Sequence, residues 1–272
     1  RRGPRPGLDI LRGAAIRHTA LCAVLLAAGL GGCAPRDGAR GRVQLPPVGV
    51  PGRNSFIVEQ AERGPIVLIF PGRSAPTDDR TLGIRCTALR ISGKVEGSVA
   101  IFSWRHYRHA KEWVRREAGK RRARGKPVRL ALVGHSWGGQ AAGRFARQSL
   151  KEGLVDRVQV LITIDAICKG YVTCALRQMP SILSLELFFP HRLKLAAFRD
   201  TPRPDGRSLL RHVNYYQTDS PHLCGAPIPT ATENHRVWLD SGREPGHGNL
   251  DNLVAELVAE DVRRAFLLEP GP

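Results

Sequence analysis

The strongest constraint on the fold is an apolar run that ends abruptly in a glycine-rich turn. Residues 128–133 read Val-Arg-Leu-Ala-Leu-Val, Gly-His-Ser-Trp-Gly-Gly follows, and small residues continue the chain at 141–143. This order predicts a buried strand, a sharp turn and a helix. The spacing Gly-x-Ser-x-Gly is typical of a nucleophile elbow, where glycines leave space at the crossing of strand and helix and the serine hydroxyl is exposed. Ser136 is therefore a candidate nucleophile.

Strand patterns and helix patterns alternate along residues 56–272. Predicted strands lie at 56–60, 65–70, 95–104, 128–133, 158–165, 212–219 and 237–240, and predicted helices lie at 105–124, directly after the turn and at 250–268. The continuous apolar run at 65–70 indicates a strand buried on both faces, as in a parallel sheet. A chain of 272 residues with 42% hydrophobic residues can form one sizeable domain. The pattern predicts a single domain built from both strands and helices.

The Gly-His-Ser-Trp-Gly-Gly turn and a later Gly-His-Gly at 246–248 resemble the α/β-hydrolase superfamily, in particular its small lipase-, esterase- and thioesterase-like members. The resemblance extends over about residues 56–267 and is strongest at the turn. It implies the α/β-hydrolase fold, a mostly parallel twisted sheet with helices on both faces. It also implies a Ser-His-Asp/Glu triad in that chain order, with an oxyanion hole made of backbone amides.

The resemblance implies His247 as the histidine of the triad. This residue stands just before the amphipathic pattern at 250–268, where the superfamily carries its catalytic histidine. His222 and His235 are alternatives, because both lie late in the chain and in predicted loops. His135, next to the candidate nucleophile, is expected to shape the turn.

Two aspartates compete for the acidic position of the triad. The acid holds the histidine in the right tautomer, so it must emerge beside the elbow at the carboxyl edge of the sheet. Asp165 ends the predicted strand at 158–165 and is the first choice. Asp219 ends the next predicted strand, where the superfamily usually carries its acid, and is the main alternative. Asp240 is a further one.

Backbone amides near the first buried strand and at the elbow are candidates for the oxyanion hole. The amide of Trp137 follows the nucleophile directly, and the resemblance implies a second amide from the loop after residues 65–70. Gly72 and Arg73 occupy that loop, although Pro71 stands where the superfamily usually has His. An ordinary Pro-Gly turn is the alternative interpretation.

These residues predict acyl transfer from an ester or thioester to water, with neither a metal nor an organic cofactor. The substrate would be a small-molecule or lipid acyl ester. Residues 168–208 contain apolar stretches that could cover the site as a lid, and a packed connecting helix is the alternative interpretation of these stretches. Use of the same serine by a peptidase or transferase is an alternative. A non-catalytic surface lipoprotein that uses the fold as a binding scaffold is another, because fold does not fix function.

The first 32 residues have the pattern of an export signal. Five arginines accompany an apolar run at 19–30, and Leu30-Gly31-Gly32-Cys33 resembles the bacterial lipobox, in which the cysteine becomes a lipid-bearing N-terminus. Lipidation is predicted at Cys33, a flexible tether at 33–55 and the folded domain at 56–272. The expected location is the cell envelope, lipid-anchored to a bacterial membrane on its periplasmic or surface side. A cleaved secretory signal and an uncleaved anchor helix are the alternatives.

The cysteines and the net charge indicate possible disulfides and the kind of surface that the domain could bind. An exported chain with four cysteines in its domain, at 86, 168, 174 and 224, permits two disulfides, and three pairings are possible. The net charge of +18 favours anionic surfaces such as acidic lipid head groups. No zinc-finger spacing, RNA-binding signature or repeat indicates a specific nucleic-acid partner.

Overall fold

A mostly parallel sheet forms the centre of the domain. The computed structural model describes residues 56–61, 63–72, 83–166, 204–205, 208–218, 225–239 and 241–267, and within these ranges the sheet has seven strands in the order β1-β3-β2-β4-β5-β6-β7. The strands are β1 (Phe56–Glu59), β2 (Ile66–Phe70), β3 (Ser98–Ile101), β4 (Arg129–His135), β5 (Arg157–Ile164), β6 (Leu209–Tyr216) and β7 (Glu233–Arg236). β1 runs antiparallel to β3, and the other neighbouring pairs are parallel.

Helices cover both faces of the sheet. They are α1 (Gly83–Lys94), α2 (Tyr107–Arg122), α3 (Trp137–Lys151), α4 (Leu250–Leu253) and α5 (Ala255–Leu267). Successive residues of a strand point to opposite faces. Leu68 lies in the apolar cluster that contains side chains of α2 and α3, whereas Val67 lies in the cluster that contains side chains of α1 and α5. The predicted α/β class, with helices on both faces of the sheet, is confirmed.

Helix α1 was not predicted from the sequence. Its residues GIRCTALRISGK mix apolar, polar and basic side chains, so the helical period is weak. Ile84, Ala88 and Ile91 nevertheless share one face and are buried against the sheet. Tertiary packing of that face, more than intrinsic propensity, explains the helix.

The prediction of a last strand at 237–240 was wrong in position. β7 is the polar segment Glu233–Arg236, which pairs with β6 from Val213↔Glu233 to Tyr216↔Arg236. An edge strand is held by backbone hydrogen bonds to one neighbour and can carry exposed polar side chains. Apolar patterns in the sequence are therefore a poor guide to the position of an edge strand. Trp238, just beyond the strand, is 46% exposed and lies 4.4 Å below the Arg236 guanidinium.

A buried ion pair within the basic helix α2 is hydrogen-bonded to the chain just before β2. Arg121 donates to Gly64 O at 2.7 Å, to Pro65 O at 3.2 Å and to Glu117 Oε2 at 3.1 Å. Ser98 donates to the same carboxylate at 2.7 Å. Burial raises the pKa of Glu117, but hydrogen bonds from Lys120, Ser98 and Arg121 outweigh it and hold the pKa below its ordinary value. Two charged residues of α2 are therefore part of the core.

Several predictions concern segments beyond this framework. Within the part of the chain described by the structure, no helix has the length and apolarity needed to cross a membrane. The predicted signal at 1–32, the tether at 33–55 and all of the predicted lid at 168–208 except residues 204–205 and 208 lie outside the described residues. The signal, the tether and the lid stay predictions.

Candidate active site

The candidate nucleophile lies at the carboxyl edge of the sheet, between β4 and α3. Ser136 has φ 55 and ψ −123, an uncommon backbone conformation for a residue with a side chain. Its amide donates to Ile164 O at the end of the neighbouring β5, at 2.9 Å. This bond fixes the turn against the next strand while the turn changes the direction of the chain.

Glycines allow β4, α3 and β2 to approach each other at this turn. A Cβ atom on Gly134 would overlap the carbonyl oxygen of Gly138, and one on Gly138 would overlap the carbonyl oxygen of Phe70. Because these obstacles are backbone atoms, no side-chain rotation could relieve the overlap. The elbow therefore depends on hydrogen atoms at both positions.

His247 lies next to Ser136 in space. It begins a short 3-10 helix, His247–Asn249, directly before α4. Its Nε2 is 2.9 Å from Ser136 Oγ, and its Nδ1 is 2.6 Å from Asp165 Oδ2. The structure thus brings together the three side chains that were the first choices for a triad. Their roles in catalysis stay a prediction.

Asp165 is fully buried directly after β5, with φ 44 and its amide bonded to Tyr215 O at 2.7 Å. Gln217 donates to it twice, from Nε2 to Oδ2 at 2.7 Å and from the backbone amide to Oδ1 at 3.4 Å. A Cβ atom on Gly225 would overlap Oδ1. Sequence reasoning missed Gln217 and Gly225. The one sequence signal for Gln217 was its position directly after β6, at the same edge of the sheet as Asp165.

The hydrogen bonds define which ring nitrogen of His247 carries a proton. A carboxylate only accepts hydrogen bonds, so the contact between Asp165 Oδ2 and His247 Nδ1 requires a hydrogen on Nδ1. Nε2 then has a free lone pair directed at the Ser136 hydroxyl. This arrangement can remove the serine proton during nucleophilic attack.

The predicted oxyanion-hole residues are described in part. Trp137 is the first residue of α3, so its amide belongs to the first turn, whose N–H groups have no partner within the helix. Gly72 packs directly against the nucleophile, since a Cβ placed there would be 3.0 Å from Ser136 Cβ. Arg73 lies outside the described residues.

The alternative site residues are separate from this cluster or not described. His235 lies on β7, where it stacks on Tyr215 and its Nε2 is 3.2 Å from Glu233 Oε2. Asp219, His222 and Asp240 lie outside the described residues. Among the residues that are described, no group of three or more His, Cys, Asp or Glu side chains could hold a metal ion.

An aromatic pair flanks the elbow. The rings of Trp104 and Trp137 stack with centroids 6.0 Å apart and planes at 25°. Trp104 follows β3 in a short 3-10 helix, and the Arg105 guanidinium lies 5.2 Å from the centre of its ring. Because Trp137 directly follows Ser136, this aromatic pair lies beside the candidate nucleophile.

Known proteins resemble this chain in structure rather than in sequence. No protein-family model matches it, and no curated protein matches it. Carboxyl esterase 2 from the mycorrhizal fungus Tuber melanosporum superposes with a TM-score of 0.51 at 13% identity, covering 91% of this chain and 98% of that one. A bacterial heroin esterase gives a TM-score of 0.48 at 13% identity, covering 97% and 94%. With the sheet topology, the first of these similarities confirms the predicted α/β-hydrolase fold.

Proposed function

We propose that this protein is a serine hydrolase that cleaves an ester or thioester through an acyl-enzyme. The observation that carries the proposal is the chain of hydrogen bonds from Ser136 Oγ to His247 Nε2, at 2.9 Å, and from His247 Nδ1 to Asp165 Oδ2, at 2.6 Å. This is the arrangement by which a base activates a serine and a carboxylate orients that base. The carboxyl esterase of the same fold agrees with an ester as the substrate class.

In the first step, Ser136 Oγ attacks the carbonyl carbon of the substrate and its proton passes to His247 Nε2. The imidazolium that forms donates through Nδ1 to Asp165, whose negative charge is buried and stabilises the positive ring. The carbonyl oxygen becomes an oxyanion. Backbone amides of Trp137 and of Gly72 or Arg73 are proposed to bind it, and one such donor contributes about 3 kcal/mol to transition-state stabilisation.

In the second step, the tetrahedral intermediate collapses and His247 gives its proton to the leaving alcohol or thiol. The acyl group remains as an ester on Ser136. Water then attacks this ester, His247 takes one proton from the water, and the carboxylic acid leaves as the proton returns to Ser136 Oγ. The sequence of steps requires no metal and no organic cofactor.

Labelling with a fluorophosphonate probe tests the proposal directly, because the probe reacts with activated serines. We expect wild-type protein to be labelled and the Ser136→Ala variant to be unlabelled. Ser149→Ala is a matched control, since this serine lies on α3, is buried and has an Oγ without a hydrogen-bond partner among the described residues. A series of p-nitrophenyl esters of rising acyl length, with a thioester beside it, then measures substrate preference.

Absence of labelling in folded protein would contradict the enzymatic proposal. The non-catalytic scaffold would then become the better interpretation, since the fold alone would remain. Folding of each variant is checked by circular dichroism, so that a failure to fold is not mistaken for a lost nucleophile.

We also propose that the protein is exported and anchored to a bacterial membrane by lipid on Cys33. The lipobox-like Leu30-Gly31-Gly32-Cys33 supports this location. A disulfide at Cys86 is part of the proposal, and it fits passage to an oxidising compartment, where such bonds persist. Mass spectrometry of the mature N-terminus tests the anchor: a diacylglyceryl-modified Cys33 is expected, and a Cys33→Ser variant should be released from membranes.

A further inference from the structure

A second histidine lies against His247. His135 is the last residue of β4 and is 6% exposed. Its ring stacks on the ring of His247, with 5.1 Å between centroids and 30° between planes. Its Nε2 is 3.2 Å from the backbone carbonyl oxygen of His247. Since a carbonyl oxygen only accepts hydrogen bonds, Nε2 of His135 carries the hydrogen.

The other ring nitrogen of His135 faces a buried carboxylate. Asp251 Oδ2 lies 3.3 Å from Nδ1, although the angles do not make a hydrogen bond and Nδ1 has no other partner among the described residues. Burial lowers the pKa of His135 by more than the charge of Asp251 raises it. Burial thus disfavours the charged ring, and the one hydrogen bond that the ring donates goes to His247.

The segment that follows His247 is tied to α1 by separate contacts. Thr87 Oγ1 donates to the Asp251 carbonyl at 3.2 Å, and the Gly83 amide donates to Asn252 Oδ1. These bonds fix the chain four and five residues beyond the imidazole. The bond from His135 acts at the backbone of His247 itself.

We infer that His135 is a positioning residue whose Nε2–H holds the His247 backbone where the imidazole reaches Ser136. The inference rests on the proposed function. The side chain of His247 extends from the backbone that His135 holds, so a shift of that backbone moves Nε2 away from Ser136 Oγ. A misplacement of about 1 Å in a reacting group can lower a rate about 100-fold.

Two amide substitutions separate hydrogen bonding from packing. In His135→Gln the side-chain NH₂ can reach the position of the former Nε2, whereas in His135→Asn it reaches only as far as Nδ1. Both variants lack the ring. For hydrolysis of p-nitrophenyl butyrate by the full-length protein, we expect Gln to stay within about 5-fold of wild type. We expect Asn to lose about 10- to 100-fold in kcat with little change in KM. Equal losses in both variants would overturn the inference, because ring packing alone would explain them.

Hydrogen exchange followed by mass spectrometry tests the same inference without any turnover. Peptides covering 244–254 should exchange faster in His135→Asn than in wild type and in His135→Gln. Unchanged exchange in Asn would overturn the positioning role even if activity fell. If wild-type protein hydrolyses no ester yet the exchange difference is present, the proposed function fails and the structural part of the inference remains. His135→Phe, which keeps a stacked ring without a donor, replaces Asn should that variant not fold, and it should also exchange faster.

Discussion

The role of Asp165 can be tested by removing its charge while keeping its shape. In Asp165→Asn the amide oxygen is expected to occupy the position of Oδ2, because that atom accepts from both His247 Nδ1 and Gln217 Nε2. The amide NH₂ then takes the position of Oδ1, where the remaining donor is 3.4 Å away. Placing NH₂ at the Oδ2 position would oppose two donors. The variant should therefore keep the tautomer of His247 and lose only the negative charge.

The size of the effect on kcat follows from the positive charge that the proposed mechanism places on His247. Two unit charges about 4 Å apart interact by about 4 kcal/mol at an effective dielectric constant of about 20, a value suited to protein interiors. Loss of that term from the transition state lowers kcat about 1000-fold. Asp165→Ala loses orientation as well as charge, so we expect a fall of about 10⁴-fold.

The assay is steady-state hydrolysis of p-nitrophenyl butyrate near neutral pH by wild type, Asp165→Asn and Asp165→Ala. Asp219→Asn, at the alternative acid, is the matched control and should stay near wild type. A kcat for Asp165→Asn within 10-fold of wild type would refute the reasoning. If Asp219→Asn were the variant that lost activity, the acid of the triad would be Asp219.

Three further predictions concern packing and pH. Burial lowers the pKa of His212 to about 4, so between pH 6.5 and 4 the unfolded chain binds a proton that the folded chain does not. The free energy of unfolding, measured by urea titration, should therefore fall by about 3 kcal/mol as the pH drops from 6.5 to 4. His212→Gln should lose this dependence. Gly225→Ala should lower kcat about 10- to 100-fold by displacing Asp165. Gly119→Ala is the control and should be neutral, because its added Cβ meets nothing within 4 Å. Equal activities of the two variants would contradict the close approach of Gly225 to Asp165. Arg121→Met leaves Glu117 without its buried cationic partner and should cost about 3–5 kcal/mol by chemical denaturation, with partial recovery in the double variant with Glu117→Gln.

Local signals in the sequence predicted the fold class and the central strands. The apolar runs at β2, β4 and β5 are buried on both faces, so their composition reports directly on their environment. Helix α1 and strand β7 lack such signals, because α1 is formed by packing of a few apolar residues and β7 by pairing at an edge.

The candidate site was predictable only where a residue has a characteristic local setting. Ser136 lies in a glycine-flanked turn, His247 in a Gly-His-Gly and Asp165 at the end of a strand. Gln217 and Asp251 have ordinary local sequences, and nothing in the elbow motif indicates that His135 donates to the backbone of His247. Their importance comes from contacts between segments that are distant along the chain. Such contacts cannot be predicted from the local sequence around each residue.

The separation of the site residues along the chain has a consequence for how the protein matures. The bond between Ser136 and His247 spans 111 residues, and the bond between Asp165 and His247 spans 82. Bringing such distant segments together costs loop-closure entropy, which only the assembled sheet and the docked C-terminal helices offset. Under the proposed function, Ser136 would therefore become reactive only after these segments have joined. Activity would then report on completed folding, and a chain truncated before residue 247 would lack the base proposed to activate Ser136.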